Sequence, residues 1–414
     1  MKRTIGGWTG NVMLCLLAPL AWAEGVTHAG PTNVPELLVT AAGEKVTTRA
    51  QWEQVRRPEI LKTLCTEEYG FRPVERPADL AFSEIAAPEE CFGGKAIRKR
   101  IRATYSGPGG TGEMAFSAWI PKLDRPAPVF VHSSPRPHET AADPDGPRPV
   151  YLLPAEMIVS RGYACVAYCN QDVAADWKSP AVATSGVFKV FGPADATKRG
   201  PTEWGILSAW AWGMSRVLDW IETEPLLNAS RAAAVGLSRN GKTALVAGAL
   251  DTRFALVISC CSGCSGAKLN HIPCEGSESI EAITRPALRW FCPNYRKYAG
   301  RDRQTPFDQH WLLALVAPRL LYVSSASEDA WAGPRGEFAA ACLASPAWAL
   351  YGFGGLSGQA FPRADLPLQA GHVGYHLRTG LHDITAYDWN RYMDFADGKG
   401  WQTRSPIRHG SSAK

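Results

Sequence analysis

The period of apolar and polar positions changes repeatedly along the chain, and each change predicts an element. Thr48-Arg-Ala-Gln51 has the form of a capping box, so a helix is expected from there to about Cys65. Two strand-like runs, 96–105 and 114–120, flank the glycine-rich stretch 106–112, which is a hairpin signal. Beyond the hairpin, short apolar runs at 128–132, 163–168, 232–235, 255–259, 320–324 and 348–351 read as strands. Helical patterns near 151–161, 203–222, 243–250 and 384–396 are interspersed among them. Strands alternating with helices predict an α/β fold. The expected architecture is a three-layer sandwich with a mostly parallel central sheet covered by helices on both faces. Right-handed crossovers then gather the strand carboxyl ends, and the loops carrying chemistry, on one edge. No internal repeat is visible. Residues 24–47 read as extended, and 170–202 and 265–310 as loop-rich insertions expected to wall a cleft. Residues 24–399 are read as a single domain, and 400–414 as a polar, disordered tail.

Bulk properties narrow the class without choosing a function. The formal charge of +5 falls to +3 once Lys2 and Arg3 are removed with a leader (5 − 2), and no basic run with interleaved aromatics appears. Nucleic acid is therefore not an expected partner. Lys2-Arg3, the apolar run 12–20 and Ala21-Trp22-Ala23 fit a signal peptide over 1–23, so a secreted or periplasmic protein is expected. The apolar run is too short for a permanent anchor, and Cys15 inside it argues against a lipoprotein. Export makes disulfides plausible among the ten remaining cysteines, although Cys165 and Cys169 lie about 13 Å apart if extended, too far to bond. The cluster Cys260-Cys261-Ser-Gly-Cys264 matches no regular zinc spacing, and no metal is expected. Fifteen tryptophans suit a cleft for sugar rings but are also ordinary core residues.

The chemistry concentrates at Gly236-Leu-Ser238-Arg-Asn240-Gly241-Lys242, between the strand at 232–235 and a buried helix. A serine on a sharp strand-to-helix turn is the nucleophile elbow of the α/β-hydrolases, although Asn240 here holds the place of the usual second glycine. Such a serine needs a base and an orienting acid, in the chain order serine, acid, histidine. His382, just before the last helix, is the preferred base and His372 the second choice. The strand after the elbow helix ends in Cys260-Cys261 with no carboxylate. Glu328 or Asp329, on the loop after the next strand, is the remaining acid, with Asp329 favoured.

Together with Gly276-Ser-Glu278-Ser-Ile280, Trp290-Phe-Cys292, Asp308-Gln-His310, Ala317-Pro-Arg319, Glu328-Asp-Ala-Trp331, Gly336-Glu-Phe338 and 382–389, these residues make the chain resemble the bacterial branch of the glucuronoyl esterases over about 57–397. The resemblance implies a cofactor-free hydrolase of esters joining (4-O-methyl-)glucuronic acid on xylan to lignin alcohols; a monomer is expected. It implies Ser238 as nucleophile, His382 as base, Asp329 as acid and Arg239 as an oxyanion-assisting residue. Lys242, Glu278 and Trp331 are implied to hold the uronate ring. Many members carry a catalytic glutamate where this chain has Cys261, so the chain resembles members relying on the alternative acid. The cysteine that many fungal members place beside the serine is Leu237 here. Another carbohydrate esterase, such as an acetyl xylan esterase, and a non-catalytic sugar-binding relative are the alternatives.

Overall fold

The computed structural model describes residues 34–143, 153–176, 185–192, 199–272, 274–285 and 289–402. The expected signal peptide, most of the expected tail and parts of the 170–202 insertion lie outside the described residues. Nine strands form one sheet in the order β1-β2-β3-β5-β4-β6-β7-β8-β9. The antiparallel part holds β1 (Ala81–Cys91), β2 (Ala96–Gly107) and β3 (Gly110–Pro121), with β3 also antiparallel to β5 (Ala164–Cys169). From β5 through β4 (Ala127–Ser134), β6 (Leu227–Leu237), β7 (Leu256–Cys260), β8 (Leu320–Ala326) and β9 (Val373–Arg378), neighbours are parallel.

The central strands divide their side chains between two cores, as a period of two requires. Val129, Val131, Ala232 and Ala234 face one core, with the helices Ile206–Ile221 and Arg239–Leu250. Phe130, Ala233 and Val235 face the other, with the helices Ala155–Ser160 and Ala386–Gly398. Both faces are covered, so β4 is buried at every position, and its first five residues, 127–131, read as a continuous apolar run rather than an alternation. Thr48 caps its helix through the expected box with Gln51.

Three expectations need correction. β1 was not expected: nearly every position on it is exposed, so no apolar period announces it. Its Glu89 instead pairs with Arg98 and Arg100 of β2, placing charge on a sheet edge. Residues 348–351 are not a strand. The helix Pro346–Ala349 starts on a proline and sets Trp348 in the core, its Nε1 donating to the Arg319 carbonyl at 2.7 Å. The place beside β8 belongs to β9, from a segment read as loop; Gly374 lies so near Tyr322 that a Cβ would stand 2.5 Å from its ring. All ten described cysteines are free, so none of the disulfides that export makes plausible is formed among the described residues.

Candidate active site

The elbow is built as its sequence demands. β6 ends at Leu237, and the helix Arg239–Leu250 begins at once, leaving Ser238 alone between them with φ 60° and ψ −130°. Such a backbone costs on the order of 1–3 kcal/mol and needs surroundings that hold it. Here the Ser238 N–H donates to the Cys260 carbonyl at 2.8 Å, and the Ser238 carbonyl accepts from the N–H groups of Gly241 and Lys242. A Cβ on Gly236 would stand 2.1 Å from the Asn240 carbonyl oxygen, so glycine is required there. Asn240 is also held, its side-chain oxygen accepting from Ser133 Oγ at 2.7 Å and Asn170 Nδ2 at 3.0 Å. Those bonds give the asparagine in the usual glycine place a structural task.

The candidate acid and base come from the loops that follow β8 and β9, on the same carboxyl edge as Ser238. His382 Nδ1 lies 2.6 Å from Asp329 Oδ2. The second carboxylate oxygen of Asp329 accepts from the Ala332 N–H, closing a turn that fixes the carboxylate. Asp329 is buried whereas Glu328 is exposed, and this separates the two candidates that the sequence left open. The two loops are stitched together by backbone: Ser327 N–H donates to the Arg378 carbonyl, and Glu328 N–H to that of Gly380. Arg378 clamps the turn carrying His382 by donating to the carbonyls of Thr379, Leu381 and Asp383. His372, the second candidate base, stacks on Phe353 with ring centroids 3.9 Å apart and takes no part in this pairing.

Beside the serine, Lys242 is buried with its ammonium 2.9 Å from Glu278 Oε2 and 2.5 Å from the Ser262 carbonyl. Glu278 donates its N–H to the Trp331 carbonyl, so the two implied ring-binding residues are tied through backbone. Trp331 itself is half exposed at 53 %, presenting an aromatic face to solvent. Arg239 reaches across to Asp176 Oδ2 at 2.6 Å, with its guanidinium 5.5 Å from the Trp290 ring centroid. Trp290 Nε1 also donates to Asp176, at 3.0 Å. Asp176 lies in the 170–202 insertion, where no periodicity or motif had marked a residue.

Two further groups received no role from the sequence. Glu337 is fully buried, accepting from Gly263 N–H at 2.9 Å and Ser325 Oγ at 2.6 Å. Burial pushes its carboxyl up to about 7. Cys261, in the place where the resemblance expects a glutamate, has φ 44° and is buried. Its hydrogen bond with Cys260, and then burial, hold the thiol well above its ordinary range.

Comparison with known proteins agrees with this geometry. A family model described as glucuronyl esterase, fungi, matches residues 139–352. The carbohydrate esterase MZ0003, from an unknown prokaryotic organism, is 33% identical over 400 residues, covering 88% of this chain and 89% of that protein. A 4-O-methyl-glucuronoyl methylesterase of Podospora anserina is 28% identical across 75% of this chain and 58% of its own length. The solved glucuronoyl esterase of Solibacter usitatus superposes with a TM-score of 0.79 at 33% identity, covering 90% of this chain and 99% of that one. With an elbow serine, an aspartate–histidine pair on one sheet edge and this breadth of likeness, the chain belongs to the glucuronoyl esterase family.

Proposed function

We propose that the protein hydrolyses esters of (4-O-methyl-)glucuronic acid, such as those linking glucuronoxylan to lignin, through a glucuronoyl-serine intermediate. Ser238 attacks the C6 carbonyl, and His382 takes its proton. Asp329 accepts the Nδ1 hydrogen bond, fixing the tautomer that leaves the other nitrogen basic. Negative charge on the carbonyl oxygen is met by backbone N–H groups at the start of the helix Arg239–Leu250 and by Arg239. Each such preorganised donor contributes about 3–4 kcal/mol to the transition state. Protonated His382 releases the alcohol, and water then cleaves the acyl-serine by the same route in reverse.

Lys242 and Glu278 hold each other in a charged pair able to orient sugar hydroxyls, and the exposed Trp331 offers a face for the ring's C–H side. The expected export of the chain suits a plant-wall substrate, and no helix among the described residues is long and apolar enough to cross a membrane. The observation that carries the proposal is the 2.6 Å His382–Asp329 contact on the sheet edge where the elbow presents Ser238. The test is turnover of benzyl glucuronate, benzyl galacturonate and acetylated xylan by the wild type and Ser238→Ala. Preference for the glucuronate, abolished in a Ser238→Ala protein of unchanged circular dichroism, is the expected outcome. Retained turnover in that variant removes the nucleophile assignment, and preference for acetylated xylan removes the substrate assignment.

A further inference from the structure

The thiol of Cys261 is more than a missing carboxylate. Its sulfur, a carboxylate oxygen of Asp329 and a ring nitrogen of His382 all lie within 4.8 Å of one another. Among the described residues this is the one cluster of at least three cysteine, histidine or acidic side chains so disposed. Ligands around a tetrahedral zinc ion stand about 3.3–3.7 Å apart, given bonds near 2.0–2.3 Å, so closing this group on an ion needs a contraction of roughly 1 Å. The ligand set of thiolate, imidazole and carboxylate suits a borderline or soft divalent ion and not magnesium or calcium. Cys260 stands beside the cluster, its thiol 3.9 Å from the Cys261 sulfur and 3.6 Å from the Asp383 carbonyl. His382 is one-third exposed, so the cluster is open to solvent on the imidazole side.

We propose that Cys261, Asp329 and His382 form a binding site for Zn2+ or Cd2+, and that an ion bound there switches the esterase off. The inference rests on the proposed role of His382. The ion takes the Nδ1 lone pair in the tautomer that carries its proton on Nε2, together with the Cys261 sulfur and an Asp329 oxygen; water fills the fourth position. One proton, that of the thiol, leaves to solvent. The imidazole proton moves from Nδ1 to Nε2, where the ring can no longer accept a proton from Ser238. Inhibition is reversible, because chelation restores the Nδ1–H to Asp329 hydrogen bond.

The test titrates the reduced protein with Cd2+, following the ultraviolet thiolate-to-cadmium charge-transfer band and benzyl glucuronate turnover in parallel. The wild type should develop the band as turnover falls, and EDTA should reverse both. Cys261→Ala should turn over normally without metal, which also reports an intact fold. It should lose the band and need about 100-fold more Cd2+ for the same inhibition. Cys274→Ala, at a partly exposed thiol outside the cluster, should behave as wild type. A wild type without the band, a band that persists in Cys261→Ala, or equal inhibition of the two proteins overturns the proposal. A band that forms while turnover stays undiminished also overturns it, since the thiolate then binds the ion without engaging His382. Failure of the His382 reading itself shows separately, as turnover that survives Ser238→Ala or Asp329→Asn without metal.

Discussion

Two aspartate–histidine pairs draw their histidines from neighbouring positions, His376 and His382, and are opposite in circumstance. In one, His376 is fully buried and bonded at both nitrogens, Nε2 to Asp388 at 2.8 Å and Nδ1 to the Tyr322 hydroxyl at 3.0 Å. Tyr322 accepts from Gln369, so its own proton is free for His376, and the imidazole is neutral with its proton toward Asp388. Burial lowers the proton affinity of His376. In the other pair, Asp329 is buried but His382 is one-third exposed, and among the described residues a hydrogen-bond partner is recorded at Nδ1 alone. The pair type is the same; the second nitrogen decides the role. A histidine committed on both sides can only hold structure, whereas one with an open Nε2 can move a proton.

The buried pair nonetheless serves the exposed one. Asp388 receives the Thr385 N–H and hydroxyl as the capping box of the last helix and ion-pairs with Arg378 at 3.0 Å. Arg378 in turn grips the turn that carries His382. Asp388 thus links the start of a helix, a strand end and the turn carrying the proposed base.

The contrast is broken most sharply by removing one charge from each pair. Asp329→Asn should lower kcat/KM on benzyl glucuronate by about 10³–10⁴-fold while leaving thermal stability near wild type. Asp388→Asn should do the converse, costing about 3 kcal/mol of stability because Arg378 loses its buried partner, with turnover reduced less than tenfold at a temperature where the variant is folded. Urea melts and initial rates on the same preparations decide it, and a reversal of the two patterns would refute the division of roles.

A smaller effect concerns Glu337, which shares the buried setting of Asp388 but has no cationic side chain among its recorded hydrogen-bond partners. Its folded carboxyl is raised from 4.5 to about 7, so between those values the folded chain holds a proton that the unfolded chain has lost. Stability from this group is therefore present at low pH and is lost as pH rises, by about 2 kcal/mol between pH 5 and 7. Glu337→Gln should lack that component, so its melting temperature should gain on the wild type's as pH rises across this window. Parallel pH profiles for the two proteins would contradict the raised carboxyl.

Much of this was legible in the sequence where one local rule acts. The elbow shows because Gly236, Ser238 and Gly241 satisfy a steric demand within six residues, and the parallel strands other than β9 show through the apolar runs that burial on both faces requires. His382 could be placed by its position before a helix. Asp329 and Glu328 could not be separated, because adjacent residues on a loop share every sequence signal and differ only in which way the turn points them. Asp176 was invisible for a related reason: its partners, Arg239 and Trp290, lie 63 and 114 residues away. β1 and β9 were missed for opposite reasons, one being too exposed to show a period and the other sitting among glycines and histidines that read as loop.

The central claim is that His382, held by Asp329 and not by the buried pair's chemistry, activates Ser238. The direct measurement is the rate at which a fluorophosphonate labels the protein, with the modified residue located by peptide mass mapping. The account predicts one label, on Ser238, forming at a rate that collapses in Asp329→Asn and holds in Asp388→Asn. A label on another residue, or a Ser238 label whose rate ignores Asp329, would contradict it.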